Sequence, residues 1–192
     1  LLQMGSFCYM KKKRNSVNVF AKDCIAMALI KLMKQKKYED ITITEIADTA
    51  GVSRVTYYRN YSSKEEIITY YMDELGYKLK EEISQHNPSG DIYTSALAFF
   101  QYWVNHSDFL TCLQKANLSY MLLEHMNKTI SMFATTPRRK YEVCFHIGSM
   151  HNVMFEWVKG GMKESSEEMA TILYNLYKNH LSRKQAIENH SG

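Results

Sequence analysis

The sequence predicts an all-α protein of about nine helices, and three observations support this prediction. Apolar residues recur at spacings of three and four along most of the chain, while the alternating pattern typical of strands is scarce. Helix-start signals, in which Ser or Thr precedes Glu by three residues or stands before Pro, occur repeatedly. The 192 residues include only 2 Pro and 8 Gly and are 45% hydrophobic, as expected of a compact soluble protein of one or two domains.

Four helices are expected in the first half of the chain. Thr42 and Glu45 have the spacing of a capping box, which opens a short second helix. Gly51 permits the left-handed turn that ends this helix, and Ser53 is placed to cap a third helix of two turns. The expected bounds are about 15–36, 42–49, 54–60 and 63–86.

The second half is also expected to be helical. Residues 92–103 mark a fifth helix, residues 105–108 interrupt it, and one or two further helices lie between 109 and 133. Thr136 followed by Pro137 opens a helix that runs to about residue 159 and is apolar on both sides. Ser165 and Glu168 form another capping box at the start of the last helix.

The breaks in this pattern suggest a division into segments. We expect a flexible basic segment (1–14), a three-helix unit (15–62), a connecting helix (63–86), a C-terminal helical domain (91–182) and a tail (183–192). The clearest boundary is the Asn-Pro-Ser-Gly run at residues 87–90, because both Pro and Gly break helices.

Composition limits the classes of protein to which the chain can belong. The longest apolar stretch, residues 95–104, is about half the roughly 20 residues that a membrane-spanning helix needs. Residues 1–10 lack the pattern of a secretory signal, and four scattered cysteines without CxxC spacing argue against a zinc finger or a disulfide framework. We therefore expect a cytoplasmic protein without membrane contact, and leave open whether residues 1–9 are native.

Charge is distributed unevenly along the chain. The net charge of +4 is too small to indicate a nucleic-acid partner by itself. Residues 1–64 hold twelve Lys or Arg against five Asp or Glu, a balance of +7, whereas residues 65–192 have a balance of −3. Such an excess is usually a solvated helix face, but it favours an anionic partner for the first third.

The second and third helices have the layout of a helix-turn-helix unit, with a glycine in the turn and polar or basic residues on the outer side of the third helix. An Arg at position 54 could read guanine, and hydroxyl groups could donate to phosphates. By periodicity alone, a plain helical hairpin explains the pattern equally well.

A more specific resemblance covers residues 41–67, ITITEIADTAGVSRVTYYRNYSSKEEI. This run resembles the N-terminal DNA-binding domain of the TetR family of bacterial transcriptional regulators in its threonine-led second helix, the Ala-Gly-Val-Ser turn, and the Thr, Tyr and Ser-Lys-Glu-Glu positions that follow. With the helix before it, the similarity covers about sixty residues. It implies DNA contacts from Thr42, Thr44, Ser53, Arg54, Val55, Thr56, Tyr58, Arg59 and Lys64, with Arg54 and Val55 at base edges and Lys64 on the phosphate backbone.

The resemblance also implies a homodimer that binds a double-stranded DNA operator. Two helix-turn-helix units related by a two-fold axis present their reading helices to half-sites about one turn, roughly 34 Å, apart. Because one helix is apolar on both sides, we expect the interface to use Val143, Ile147, Met150, Met154, Trp157, Ile172, Leu173 and Leu176. Packing of the first five into their own subunit is the alternative.

Regulation by an unidentified small-molecule effector is the other property that the resemblance implies. Aromatic and methionine side chains suit an apolar or cationic guest, and the candidates in the C-terminal domain are Phe99, Tyr102, Trp103, Tyr120, Met121 and Met126. The favoured function is a ligand-relieved repressor. A coactivator or protein-interaction module of the same fold is the alternative.

The sequence gives little support to enzymatic activity or to metal binding. No glycine-rich phosphate loop, GxSxG elbow or paired-carboxylate motif is present. His146 and His151 are five residues apart, which is a poor match to one helical face. We expect no catalytic residue, no cofactor and no metal site, although the operator, the regulated genes and the effector cannot be read from the sequence.

Overall fold

The computed structural model describes residues 16–87, 90–128 and 134–189, with the side chains of 18–87, 90–128 and 134–179. These residues form nine α-helices and one 3-10 turn, and the described ranges contain no strand, so the predicted all-α class is confirmed. The expected segment 1–14 and the end of the helix expected near residue 133 lie outside the described residues. The helices are α1 Ser16–Met33, α2 Ile43–Ala50, α3 Arg54–Asn60, α4 Lys64–His86, α5 Ile92–Asn105, α6 Ser107–Lys115, α7 Ser119–Asn127, α8 Pro137–Lys159 and α9 Ser166–Asn189.

Most helix starts coincide with the capping signals of the sequence. Thr42 accepts a hydrogen bond from the backbone N–H of Glu45, and the Glu45 carboxylate accepts one from the Thr42 N–H. Ser53, Thr136 and Ser165 accept the corresponding bonds at the starts of α3, α8 and α9. These caps satisfy backbone N–H groups that have no partner within a helix.

Two helix ends differ from the expectation. Helix α1 ends at Met33 rather than near residue 36, because the Gln35 N–H bonds to the Leu32 carbonyl and tightens the chain into a turn. Helix α9 continues through Asn189, so residues 183–189, expected to belong to the tail, extend the helix instead. The sequence holds no Gly or Pro between residues 166 and 189 that would stop it.

One continuous apolar core joins the two halves of the chain. In the N-terminal half, α1 packs against α2, α3 and α4, and Ile25, Ile46, Tyr57 and Ile67 are completely buried between them. In the C-terminal half, α5 packs against α4 and α9, while α8 packs against α6 and α7. Helix α4 therefore belongs to both halves, its first turns to the N-terminal unit and its remainder to the C-terminal domain.

Candidate nucleic-acid interface and effector cavity

Helices α2 and α3 are joined by a three-residue turn whose geometry depends on Gly51. This glycine has φ +67°, a left-handed conformation that residues with a Cβ adopt with strain. The N–H groups of Gly51 and Val52 both bond back to the end of α2, with Val52 reaching the Ala47 carbonyl at 3.0 Å. The turn directs α3 across α2, which is the arrangement of a helix-turn-helix unit.

The inner side of α3 is anchored by aromatic packing. Tyr57 is completely buried and meets the ring of Tyr61 with centroids 6.4 Å apart. Tyr61 in turn contacts Tyr70 of α4 at 5.9 Å, and the Nζ of Lys22 lies about 5 Å from both of those rings. Packing of these three tyrosines fixes the orientation of α3 about its own axis, and this orientation determines which of its side chains point outward.

The outer side of α3 presents two basic and two bulky side chains. Arg54, Val55, Tyr58 and Arg59 are all exposed, and Val55 is 68% exposed although it is apolar. Their spacing of one and four residues places them on one helix face. Arginines can bond to base edges or phosphates, and an exposed Val can contact a thymine methyl group.

The remaining residues predicted to contact DNA differ in position and exposure. Thr42, Thr44 and Ser53 are exposed near the starts of α2 and α3. Thr56 is half-buried, and its hydroxyl lies 3.0 Å from that of Ser53. Lys64 is half-buried at the start of α4. All of them lie on or beside the helix-turn-helix unit, and their DNA contacts stay a prediction.

Lys64 already bonds within the protein. Its ammonium donates to the carbonyl oxygens of Tyr38 at 2.6 Å and Ile41 at 3.0 Å and lies 4.2 Å from the Tyr38 ring centre. The Tyr38 hydroxyl donates to Glu65 at 2.6 Å. Burial works to raise the pKa of Glu65, but this hydrogen bond, with others, leaves that pKa lowered. Since an ammonium has three protons, one remains for a phosphate oxygen.

A cavity of about 240 Å³ lies in the C-terminal domain between α4, α5, α7, α8 and α9. Of the six predicted ligand-binding residues, Phe99, Trp103 and Met126 line it. Tyr102 and Met121 are buried outside its lining, where Tyr102 donates to the Leu75 carbonyl, and Tyr120 is 51% exposed. Further apolar lining comes from Met72, Leu79, Ile83, Ile92, Ala96, Leu122, Val143, Ile147, Met150, Met154 and Leu173.

Two polar residues that the sequence analysis missed, Asp73 and His125, also line the cavity. Asp73 of α4 and His125 of α7 face each other, with Nδ1 and Oδ1 3.7 Å apart. Both of these atoms, and the Nε1 of Trp103, are buried without a hydrogen-bond partner among the described residues. Burial lowers the pKa of His125, and Asp73 only partly opposes this effect. The two residues are 52 positions apart, so no local pattern indicates their contact.

The buried side of α8 requires a correction to the predicted dimer interface. Val143, Ile147, Met154 and Trp157 are at most 8% exposed within one chain, and Met150 lines the cavity together with the first three. Trp157 packs against Phe100 and donates to the Glu164 carbonyl. These five side chains pack within their own subunit, because α8 lies over α6 and α7 with this side inward. This is the alternative that the sequence analysis gave to a dimer interface.

A different set of apolar side chains is exposed on the last two helices. On α8, Tyr141 is 71% and Phe145 58% exposed, while on α9 Ile172 is 45% and Leu176 56% exposed. Leu173, predicted for the interface, is buried in the cavity wall instead. Of the predicted interface residues, Ile172 and Leu176 are the exposed ones.

Neither a metal-binding cluster nor a membrane-spanning helix occurs in the described part of the chain. There, no three His, Cys, Asp or Glu side chains are placed to hold a metal ion together. Within the same ranges, none of the helices combines the length and the apolar character needed to cross a membrane.

Comparison with known proteins gives matches to both halves. Residues 25–71 match the model of the bacterial regulatory proteins of the tetR family, and residues 90–179 match that of a transcriptional regulator C-terminal region. No curated protein matches the sequence. Together, the two matched regions extend over more than half of the chain.

Several solved structures share the fold. The dihydroxyacetone kinase operon activator DhaS is 16% identical, with a TM-score of 0.60 over 85% of this chain and 97% of that one. A tetR-family transcriptional regulator from Streptomyces coelicolor is 14% identical, with a TM-score of 0.59 over 88% and 84%. The fatty acid degradation regulator FadR from Bacillus halodurans is 15% identical, with a TM-score of 0.59 over 86% and 96%.

Proposed function

The chain belongs to the TetR family of transcriptional regulators, with a DNA-binding N-terminal domain, and on that premise we propose that it is a dimeric repressor released from a palindromic operator by a small molecule. The outward face of α3 carries this proposal. Arg54, Val55, Tyr58 and Arg59 are exposed there together, while Tyr57 holds the opposite side of the helix in the core.

The electrostatics of the N-terminal unit support DNA as the partner. The excess positive charge of the chain lies in residues 1–64, and Arg54 and Arg59 add cations to the exposed face of α3. Phosphate contacts supply affinity, whereas contacts to base edges supply sequence preference. We assign the first task to Lys64 and to the hydroxyls of Thr42, Thr44 and Tyr58, and the second to Arg54 and Val55.

Dimerisation would use the exposed apolar side chains of the last two helices. Tyr141 on α8 and Ile172 and Leu176 on α9 are large, apolar and about half or more exposed. A second copy that covers them would remove this surface from water and place two α3 helices on one face of the DNA. A palindromic operator follows from the two-fold symmetry of such a dimer.

Helix α4 connects the proposed effector site with the DNA-binding unit. Its first turn is held by Lys64 and Glu65, and Tyr70 donates to Asp23 of α1 at 2.7 Å. Further along, Met72, Asp73 and Gly76 line the cavity. A ligand that binds the two positions of α4 with different affinity would therefore change DNA affinity, with a coupling typically of about 1 to 3 kcal/mol.

Selection of bound fragments from a genomic DNA library, with the full chain at moderate salt, tests this proposal. We expect one enriched palindrome whose half-sites lie about one helical turn, or a multiple of it, apart. The Arg54→Ala variant provides the matched control, because it should lose enrichment of one base pair in each half-site. Absence of any enriched sequence with the parent chain would exclude the DNA-reading role.

A reporter gene placed behind the selected sequence distinguishes repression from activation. Repression by the chain, relieved by an effector, is expected. Activation that requires a second protein would favour the coactivator alternative, and one protein of similar fold is described as an operon activator.

A further inference from the structure

We infer that the cavity of the C-terminal domain binds a neutral, mainly apolar small molecule that carries a hydroxyl group. The inference deepens the proposed function, since it names the chemical class of the effector. Its starting point is a wall that is mostly apolar, to which Asp73, Trp103 and His125 also contribute. Such a wall binds apolar guests by removing their surface from water.

Three buried polar atoms define what the guest must supply. Trp103 is 5% exposed and lines the cavity, and its Nε1–H has no acceptor among the described residues. The Oδ1 of Asp73 and the Nδ1 of His125 lack hydrogen-bond partners in the same part of the chain. A buried polar atom without a partner is costly and rare in folded proteins, so this set indicates a place for a polar group.

The hydrogen-bonding capacity of these atoms indicates which polar group of a bound molecule they would favour. Indole N–H only donates and a carboxylate only accepts, so the residues that line the cavity include a donor on Trp103 and an acceptor on Asp73 without partners in the described part of the chain. A hydroxyl donates and accepts, which suits both kinds of atom. An ammonium has no lone pair for Trp103, and an alkane offers neither function.

A carboxylate is disfavoured by charge. It would bring a second negative group into a largely apolar space beside Asp73, and His125 is a poor counter-charge because burial lowers its pKa. Lys80 also lines the cavity, but it already interacts with another group in the protein. The cavity therefore favours an alcohol or a phenol over a fatty acid of the same length.

Four small molecules with the same number of carbon atoms test this preference, namely hexane, 1-hexanol, hexylamine and hexanoate. Their binding to the full chain is measured without DNA, by calorimetry and by tryptophan fluorescence. We expect 1-hexanol to bind most tightly and hexanoate most weakly. Tighter binding of hexanoate or hexylamine than of 1-hexanol, or no binding of any probe, would overturn the inference.

Substitutions at two positions, Trp103 and Gly76, locate the site. Trp103→Phe removes the N–H and keeps an aromatic wall, so it should weaken 1-hexanol about threefold to tenfold and leave hexane unchanged. An equal loss for both probes would show that Trp103 only shapes the wall. At Gly76 an added Cβ meets nothing within 4 Å, so Gly76→Leu should fill the cavity and abolish binding of both. The smaller Gly76→Ala should weaken binding less while favouring the helix.

DNA binding provides a separate readout. With the operator in hand, 1-hexanol should reduce the affinity of the parent chain for DNA and leave that of Gly76→Leu unchanged. If the operator binds but no probe does, the inference fails and the proposed function stands. If 1-hexanol binds but no DNA sequence is selected, the cavity chemistry stands and the proposed function fails.

Discussion

The Nζ atom of Lys64 donates to the carbonyl oxygen of Tyr38 at 2.6 Å and lies 4.2 Å from the centre of the Tyr38 ring. Because Tyr38 lies between α1 and α2 while Lys64 opens α4, this contact fastens the helix that lines the cavity to the DNA-binding unit. The hydrogen bond from the Tyr38 hydroxyl to Glu65 strengthens the same junction. Movement of α4 would therefore be transmitted to α2 and α3.

Replacing Lys64 by Met should affect both stability and DNA binding. Loss of the two hydrogen bonds to carbonyl oxygens should lower the free energy of unfolding by about 1 to 2 kcal/mol, as measured by urea denaturation. Operator and random DNA should be weakened alike, with a flatter salt dependence. Lys37→Met, an exposed neighbour, is the control for the loss of one positive charge. A changed base preference in Lys64→Met would contradict its assignment to the backbone.

Arg54→Ala should change the sequence preference of the protein. The guanidinium is exposed at the start of α3, where its fork can reach the O6 and N7 atoms of guanine. We expect a loss of about 1 to 3 kcal/mol for the operator and relaxed selection at one base pair per half-site. Competition binding with operator variants measures both. A uniform loss across all variants would instead place Arg54 on the phosphate backbone.

Tyr57→Phe should leave the protein equally stable or stabilise it by up to about 1 kcal/mol. The Tyr57 ring is completely buried, and its hydroxyl has no hydrogen-bond partner in the described part of the chain. Tyr70→Phe is the matched comparison, since it loses a 2.7 Å bond to Asp23 and should destabilise the protein by about 1 kcal/mol. Thermal denaturation of the two variants should show shifts of opposite sign or clearly different size.

Leu176→Glu should shift the proposed dimer towards monomer. Leu176 is 56% exposed on α9, so a charge there costs little in one chain but cannot be covered by a partner without desolvation. Val104→Glu, which changes an exposed apolar residue of α5, should leave the dimer intact. Sedimentation equilibrium gives the association constants. Unchanged dimerisation of Leu176→Glu would move the interface away from this face.

Acidification should destabilise the helix-turn-helix unit through Glu45. A hydrogen bond from Lys36, followed by those from the backbone and hydroxyl of Thr42, lowers the pKa of Glu45 from 4.5 to about 2. A lowered carboxyl pKa contributes stability that is complete above pH 4.5 and is lost as the pH falls towards 2. The thermal midpoint of Glu45→Gln should therefore vary less over this range than that of the parent. The exposed Glu39→Gln serves as the control and should follow the parent.

Local signals in the sequence were sufficient for the helices and for the position of the helix-turn-helix unit. A capping box such as that of Thr42 and Glu45 acts within four residues, and Gly51 determines its turn through its own φ angle. The bounds of α3 and α8 agree with expectation for this reason. The outward residues of α3 also follow from a short helix with one buried tyrosine.

Only the tertiary structure decided which side of each helix faces inward and which distant residues meet. Helix α8 is apolar on both sides, so its sequence cannot distinguish the buried Val143 from the exposed Tyr141; packing on α6 and α7 makes that choice. Asp73 and His125 come together because α4 and α7 pack against each other. Capping and turn energies depend on neighbours in the chain, whereas burial and buried polar contacts depend on neighbours in space, and a single sequence encodes the second kind only through the whole fold.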